Sequence, residues 1–233
     1  HTARPLRTGD GPNYAPNGNT PTGATMPTSK ADIAKALVKA EVLRHGVFTL
    51  KSGARSPIYV DLRVVPSAPE SMDVITDGLA EACEALGVDV VAGAETAGIP
   101  LAAVVGHKLC MPMLYVRKEP KGYGTGSQIE GVSQPGQRVA LLDDLITQGT
   151  SKFTFLEGLA RAEIDVACIL VVLDRQQGGT EAVAARGSEL HSLITLDEML
   201  DEYLRLGALD QVQFDDIRAY LDDPEAWERG LAS

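Results

Sequence analysis

Asp143 and Asp144 stand side by side in the thirteen-residue stretch VALLDDLITQGTS, which runs from Val139 to Ser151. Four apolar residues precede the pair and Leu145 and Ile146 follow it. Ionised carboxylates are costly to bury unless something pairs with them. Behind them come Thr147, Gln148, Gly149, Thr150 and Ser151, which offer hydroxyls, an amide and a glycine that lets backbone approach closely. Phe155, Leu156, Leu159 and Ala162 then repeat at helical spacing. A loop that opens a helix in this way presents unpaired N–H groups and the positive end of the dipole, a setting that suits a phosphate. Two carboxylates do not hold a phosphate. They suit the hydroxyls of a sugar that carries one, or a metal ion. Taken alone, the pair reads as a helix cap after a strand; the whole stretch points to a phosphorylated sugar.

The stretch is neither a G-x-x-x-x-G-K-[ST] loop nor a G-x-G-x-x-G fingerprint. It resembles the motif with which type I phosphoribosyltransferases bind phosphoribosyl pyrophosphate (PRPP): apolar residues, two acids, two apolar residues, then T-x-G-T-S. A second segment, RKEPKGYGTG from Arg117 to Gly126, sets Arg117, Lys118 and Lys121 within five residues of each other in an otherwise acidic chain. A departing pyrophosphate needs its charge neutralised, and Lys and Arg do this. The glycines and Pro120 suit a loop that closes over a site. By itself the segment is a solvated basic turn; beside the PRPP motif it acquires a role. KSGARSPIYVDLR, from Lys51 to Arg63, puts Lys51 and Arg55 near a turn, with Ile58 and Tyr59 suited to stack on a ring; an ordinary hairpin with exposed cations fits the same residues. Arg175, in LDRQQGG, directly follows the longest apolar run, and its planar fork matches a carboxylate, although a surface cation at a strand end fits as well.

These segments need a scaffold, and the pattern supplies one. A helix is expected from the S-x-x-D cap at Ser29 to about Leu43, then a strand pair (47–49 and 58–60) around a turn at Ser52-Gly53, then a helix over 69–86 ended by Gly87. Apolar runs at 88–93, 112–116, 139–142, 166–173 and 190–194 read as buried parallel strands. Helices are expected between several of them, at 99–108, 150–163 and 181–185, and two acidic amphipathic helices over 196–221. The alternation predicts an α/β fold with a doubly wound, mostly parallel sheet and a small N-terminal hood. In such a sheet ligands sit beyond the carboxyl ends of the strands, which is where all but one of the segments above fall.

The chain has 233 residues, with 21 basic and 32 acidic ones and a net charge of −11. Such acidity argues against a general partner for nucleic acid or anionic membrane. Cys83, Cys110 and Cys168 are scattered among apolar neighbours and read as reduced thiols of a cytoplasmic protein. The four histidines have no metal-ligand spacing, so no zinc site is expected. The longest apolar run is too short to span a bilayer. Residues 1–28, rich in Pro, Gly, Thr and Asn, are expected to form a flexible N-terminal tail, and 29–233 a single phosphoribosyltransferase domain.

K-S-G-x-x-S-P, R-K-E-x-K, D-D-x-I-T-x-G-T-S and L-D-R-Q occur together in the order and spacing of one family, orotate phosphoribosyltransferase, and the resemblance runs from about Gly46 to Leu200. The resemblance implies Mg²⁺-dependent transfer of 5-phosphoribosyl from PRPP to orotate, giving orotidine 5′-monophosphate and pyrophosphate in pyrimidine biosynthesis. It implies that Asp143 and Asp144 hold the ribose hydroxyls, and that the run Leu145, Ile146, Thr147, Gln148, Gly149, Thr150, Ser151 borders PRPP, with Thr147 to Ser151 on the 5-phosphate. Lys51, Arg117, Lys118, Lys121 and Tyr123 would meet PRPP. Lys118, Lys121 and Tyr123 would reach the neighbouring subunit of a homodimer, and Lys121 would stabilise the leaving group. Lys51, Tyr59, Val60, Thr147 and Arg175 would border orotate, with Arg175 near its carboxylate. Mg²⁺ would be carried mainly by PRPP, with Asp143 and Asp144 the protein groups nearest to it. Four residues depart from the pattern: Tyr123 where many members have His, Thr96-Ala97 where many have Tyr-Lys, and Val60 in place of an aromatic. A purine or uracil transferase on the same fold is the first alternative, disfavoured by Arg175; a PRPP-sensing regulator is the second, disfavoured by the net charge.

Overall fold

The computed structural model describes residues 28–50, 53–120, 127–132, 134 and 136–231. Helix α1 (Lys30–Lys39) opens on the Ser29 cap, whose hydroxyl accepts from the Asp32 N–H. It stops short of the expected end because Glu41 takes a left-handed φ of 54°, and β1 (Leu43–Thr49) begins two residues later. β1 pairs antiparallel with β2 (Arg55–Val60) as a two-stranded ribbon. A 3₁₀ helix (Leu62–Ser67), not anticipated from sequence, leads to α2 (Pro69–Leu86), which ends on left-handed Gly87 as expected. The segment expected as a tail lies, except for Thr28, outside the described residues; Thr28 donates through its N–H and hydroxyl to the Glu81 carboxylate of α2 at 2.9 Å each.

From β3 (Val90–Ala94) the chain alternates as the pattern predicts: α3 (Gly98–Lys108), β4 (Met113–Val116), β5 (Ile129–Glu130), β6 (Arg138–Ile146), α4 (Thr150–Arg161), β7 (Asp165–Asp174), α5 (Gly179–Ala184) and β8 (Leu190–Thr195). The sheet order is β5-β4-β3-β6-β7-β8, parallel throughout except for the short β5. β5 escaped sequence reading because two residues carry no periodicity.

One correction concerns the opening motif. The strand expected over 139–142 continues to Ile146, because Asp143 still pairs in register with Val171 and Leu145 with Leu173. The acidic pair therefore lies inside a strand, and not in the loop after it. Successive strand residues point to opposite faces. Ala140 and Leu142 pack into the core beneath α1, α2 and α3, whereas Val139 and Leu141 pack into the core that holds Phe155 and Leu159 of α4.

Three helices, where two were expected, complete the chain: α6 (Leu196–Arg205), α7 (Gln211–Asp222) and α8 (Pro224–Gly230). Thr195 with Glu198 and Asp210 with Gln213 form capping boxes for the first two. α8 starts on an Asp223 cap followed by Pro224. The hood is thus built from both ends of the described chain. Asp216 of α7 meets His45 Nε2 of β1 at 2.9 Å and accepts from the Trp227 indole N–H of α8 at 2.6 Å. No helix among the described residues is long and apolar enough to cross a membrane.

Candidate active site

The connections from β3 diverge: α3 carries the chain to β4 on one side, and the return to β6 places it on the other. Ligands of open α/β sheets bind at such a switch point, beyond the carboxyl ends of the strands. A cavity of about 240 Å³ opens there, lined by Leu62, Val65, Leu101 and Val172 and carrying Thr96, Ala97, Arg63 and Asp144. Close backbone approach shapes it. A Cβ on Gly98, at the start of α3, would stand 2.1 Å from the Leu142 carbonyl oxygen, so only glycine lets α3 abut β6 here.

Strand alternation sends the two acids to opposite faces. Asp144 lines the cavity. Burial, and next the charge of Asp143, push its carboxyl up to about 6. Asp143 points toward α4 and is buried, at 7% exposure. Its Oδ2 pairs with the ammonium of Lys152, itself only 3% exposed, and its Oδ1 accepts the Asp144 N–H at 2.9 Å. Oδ1 of Asp144 accepts the Leu145 N–H at 2.7 Å. Nothing in the sequence pattern singled out Lys152; the available signal was a cation in the first turn of a helix, where the dipole disfavours one.

Thr147, Gln148 and Gly149 turn the chain into α4. Gly149 adopts φ 78° as its cap residue, and its carbonyl accepts the Lys152 N–H at 2.9 Å. No side chain caps this helix and no acid lies in its first turn. Gln148, Thr150 and Ser151 are exposed beside the open N–H groups, so the loop has the properties of an anion cradle. Gly179 of α5 braces it from behind, since a Cβ there would lie 2.5 Å from the Thr147 carbonyl oxygen.

Arg175 follows β7 directly, beside this loop, and its N–H donates to the Ile146 carbonyl at 3.0 Å. Asp174, the acid of the L-D-R-Q segment, orders the turn by accepting the Gln176 N–H at 2.8 Å and the Thr180 hydroxyl at 2.9 Å. The Arg175 Nε is buried and has no partner among the described residues. Burial pulls its guanidinium below the usual arginine range, and of nearby groups only Tyr220 of α7 acts to restore it. It is a half-buried cation with no acid paired to it among the described residues.

Of the other expected residues, Arg117 and Lys118 sit at the carboxyl end of β4. The Arg117 N–H donates to the Gln128 carbonyl at 2.9 Å, and the Lys118 N–H to Glu95 at 2.8 Å. Gln128, another residue sequence reading missed, ties this stem to α4 by donating to the carbonyls of Arg117 at 2.7 Å and Thr154 at 3.1 Å. Tyr59 is partly exposed on β2, and its hydroxyl accepts from Arg63 at 2.9 Å; Val60 is half-buried at the strand's end. Lys51, Lys121 and Tyr123, together with the turn residue Ser52, lie outside the described residues.

A parallel sheet with its acidic strand end, phosphate-type loop and basic flank at one switch point defines the type I phosphoribosyltransferase fold. Comparisons with known proteins narrow the class. No family model matches the chain. The orotate phosphoribosyltransferase of Pyrobaculum aerophilum is 41% identical over 169 residues, 72% of this chain and 88% of that protein. That of Caenorhabditis elegans is 36% identical over 203 residues, 86% of this chain and 89% of that protein. Among solved structures, Leishmania donovani UMP synthase superposes with a TM-score of 0.75 at 32% identity, covering 83% of this chain and 42% of that larger one. Mycobacterium tuberculosis orotate phosphoribosyltransferase in complex with PRPP gives 0.62 at 27% identity, covering 73% of this chain and 98% of that one. The chain belongs to the orotate phosphoribosyltransferase family and is a pentosyltransferase.

Proposed function

We propose that the chain joins orotate to PRPP with Mg²⁺, releasing orotidine 5′-monophosphate and pyrophosphate, as the phosphoribosyl-transfer step of cytoplasmic pyrimidine biosynthesis. The bond from the anomeric carbon to pyrophosphate breaks, and its electron pair leaves with the pyrophosphate. A bond from orotate N1 to that carbon forms, and the N1 proton is lost. Thr147 to Ser151, at the uncapped start of α4, receive the 5-phosphate. Asp144 faces the cavity and takes the ribose hydroxyls, its charge favouring the cationic ring that develops as the bond breaks. Asp143 supports it from the other face of the strand. Arg117 and Lys118 stand on the pyrophosphate side, and Lys121 and Tyr123 are assigned there by resemblance, Lys118, Lys121 and Tyr123 acting across a homodimer; Lys51 is assigned by resemblance to the border of orotate and PRPP. Tyr59 and Val60 border the base.

The Mg²⁺ ion would be brought in on PRPP oxygens, with Asp144 the acid that faces the cavity. When bound, it neutralises charge on the leaving pyrophosphate.

The observation that best supports orotate over other bases is Arg175: its backbone adjoins the phosphate loop, and its half-buried guanidinium, with a buried Nε unpartnered among the described residues, suits a carboxylate that purines and uracil lack. The test is loss of orotate's near-ultraviolet absorbance with PRPP and Mg²⁺, with hypoxanthine and uracil as competitors. Loss that needs both PRPP and Mg²⁺ and ignores the competitors is expected. Consumption of hypoxanthine or uracil instead overturns the assignment of the base.

A further inference from the structure

Lys152 sets a physical problem. It occupies the third position of α4, where the helix dipole disfavours a cation. It is also 3% exposed, and burying an ammonium demands a partner. That partner is Asp143, nine residues back on β6. A buried ion pair is on average no more stabilising than apolar side chains of the same volume, so stability alone does not account for this one. What distinguishes it is the segment it closes. The residues between its members are Asp144, Leu145, Ile146 and the whole phosphate loop. The backbone of Lys152 tightens that loop through the 2.9 Å bond to the Gly149 carbonyl, while its side chain returns to the strand. Through Oδ1, Asp143 then holds the Asp144 amide.

We propose that Lys152 is a positioning residue of the phosphoribosyl site: by clasping Asp143 it fixes the backbone of Asp144 and the loop from Thr147 to Ser151 in the geometry that receives the ribose 5-phosphate. The inference rests on reading this site as the PRPP site. Lys152 touches no substrate; it acts through Asp143, and the two form one unit.

The test uses the full chain with Lys152→Met, Asp143→Asn and the double variant. Each is measured for kcat, for KM with PRPP and with orotate, and for thermal melting. Lys152→Met should lower kcat/KM for PRPP by about 10- to 100-fold, the size of effect a misplacement of order 1 Å produces. KM for orotate should stay within about twofold. Because the pair acts as a unit, the double variant should lose no more than either single one, whereas independent residues give multiplied losses. A merely structural lysine would lower the melting temperature and leave KM for PRPP unchanged, which overturns the proposal, as does a multiplicative double variant. If Lys152→Met fails to fold with Asp143 left unpaired, the comparison falls to the double variant, which buries no lone charge. Equality with Asp143→Asn supports the clasp, and recovery to the parent's KM overturns it. If the parent chain consumes no orotate, the function assignment fails separately. Calorimetric titration with ribose 5-phosphate then decides: binding by Lys152→Met weaker by about tenfold supports the clasp, and equal binding refutes it.

Discussion

Replacing Asp144 by Asn should make the protein more stable and less active at once. The carboxyl of Asp144 is raised from its ordinary 3.8 to about 6, by burial first and by the charge of Asp143 second. A folded-state value above the unfolded one means that the folded chain holds the proton more tightly. The stability this confers is fully present below about pH 3.8 and is lost as pH rises through 6. Above that, the fold carries an ionised group it would rather keep neutral. At ~1.36 kcal/mol per pKa unit, the difference amounts to about 3 kcal/mol at pH 8. Asn keeps the shape and removes the charge, so Asp144→Asn should gain up to about 3 kcal/mol at pH 8 and about half of that at pH 5. Urea unfolding of both proteins at the two pH values, at one protomer concentration, measures the gain. PRPP-dependent turnover should meanwhile fall by about 10²-fold, since the carboxylate that favours the cationic ribose is gone. A variant that is neutral or destabilised at pH 8, or whose gain is the same at pH 5, refutes the claim that the cavity strains this carboxylate. Undiminished turnover refutes its role.

Arg175→Met should raise KM for orotate by about 10- to 100-fold, the loss of a charge-assisted carboxylate contact, while KM for PRPP stays within about twofold; steady-state kinetics with each substrate varied checks the split. A Cβ on Gly158 of α4 would stand 2.8 Å from the side-chain amide of buried Gln128. Gly158→Ala should therefore destabilise by about 1–3 kcal/mol in urea unfolding and loosen the stem at Arg117 that Gln128 holds. Cys83 and Cys168 are buried, and burial pushes their thiols up to about 12 and about 11, whereas Cys110 is exposed. A disulfide reagent at pH 8 should titrate one thiol per native chain promptly and three after denaturation; two or more prompt thiols would contradict the packing.

Residue types and spacing were enough to find the sheet, because buried parallel strands such as β7 announce themselves as unbroken apolar runs. They were not enough to end the strands. The run over 139–142 stops at Asp143 because charge breaks an apolar pattern, yet backbone pairing is indifferent to side-chain charge and carries β6 on to Ile146. β5 and the 3₁₀ helix were illegible for a different reason: they are too short to show any period and are fixed by tertiary contacts. The place of the loop before α4 was legible, because a glycine among hydroxyl residues marks a turn into a helix. The partners of those loops were not: Lys152 and Gln128 lie next to the motifs, Asp174 lies within one, and all three look like ordinary surface residues until the fold buries them. The error at the strand end and the silence about Lys152 have one cause. Extending β6 by four residues puts consecutive acids on opposite faces of the sheet. One face is a cavity and the other is the underside of α4. A carboxylate delivered to the second face has to be met by a cation from that helix, and the position one turn in, facing the strand, is 152. Once the strand is known to continue, a buried lysine there follows from alternation and the cost of a lone charge, and two adjacent aspartates that look equivalent in sequence become one that faces the cavity and one that accepts its neighbour's N–H from the opposite face.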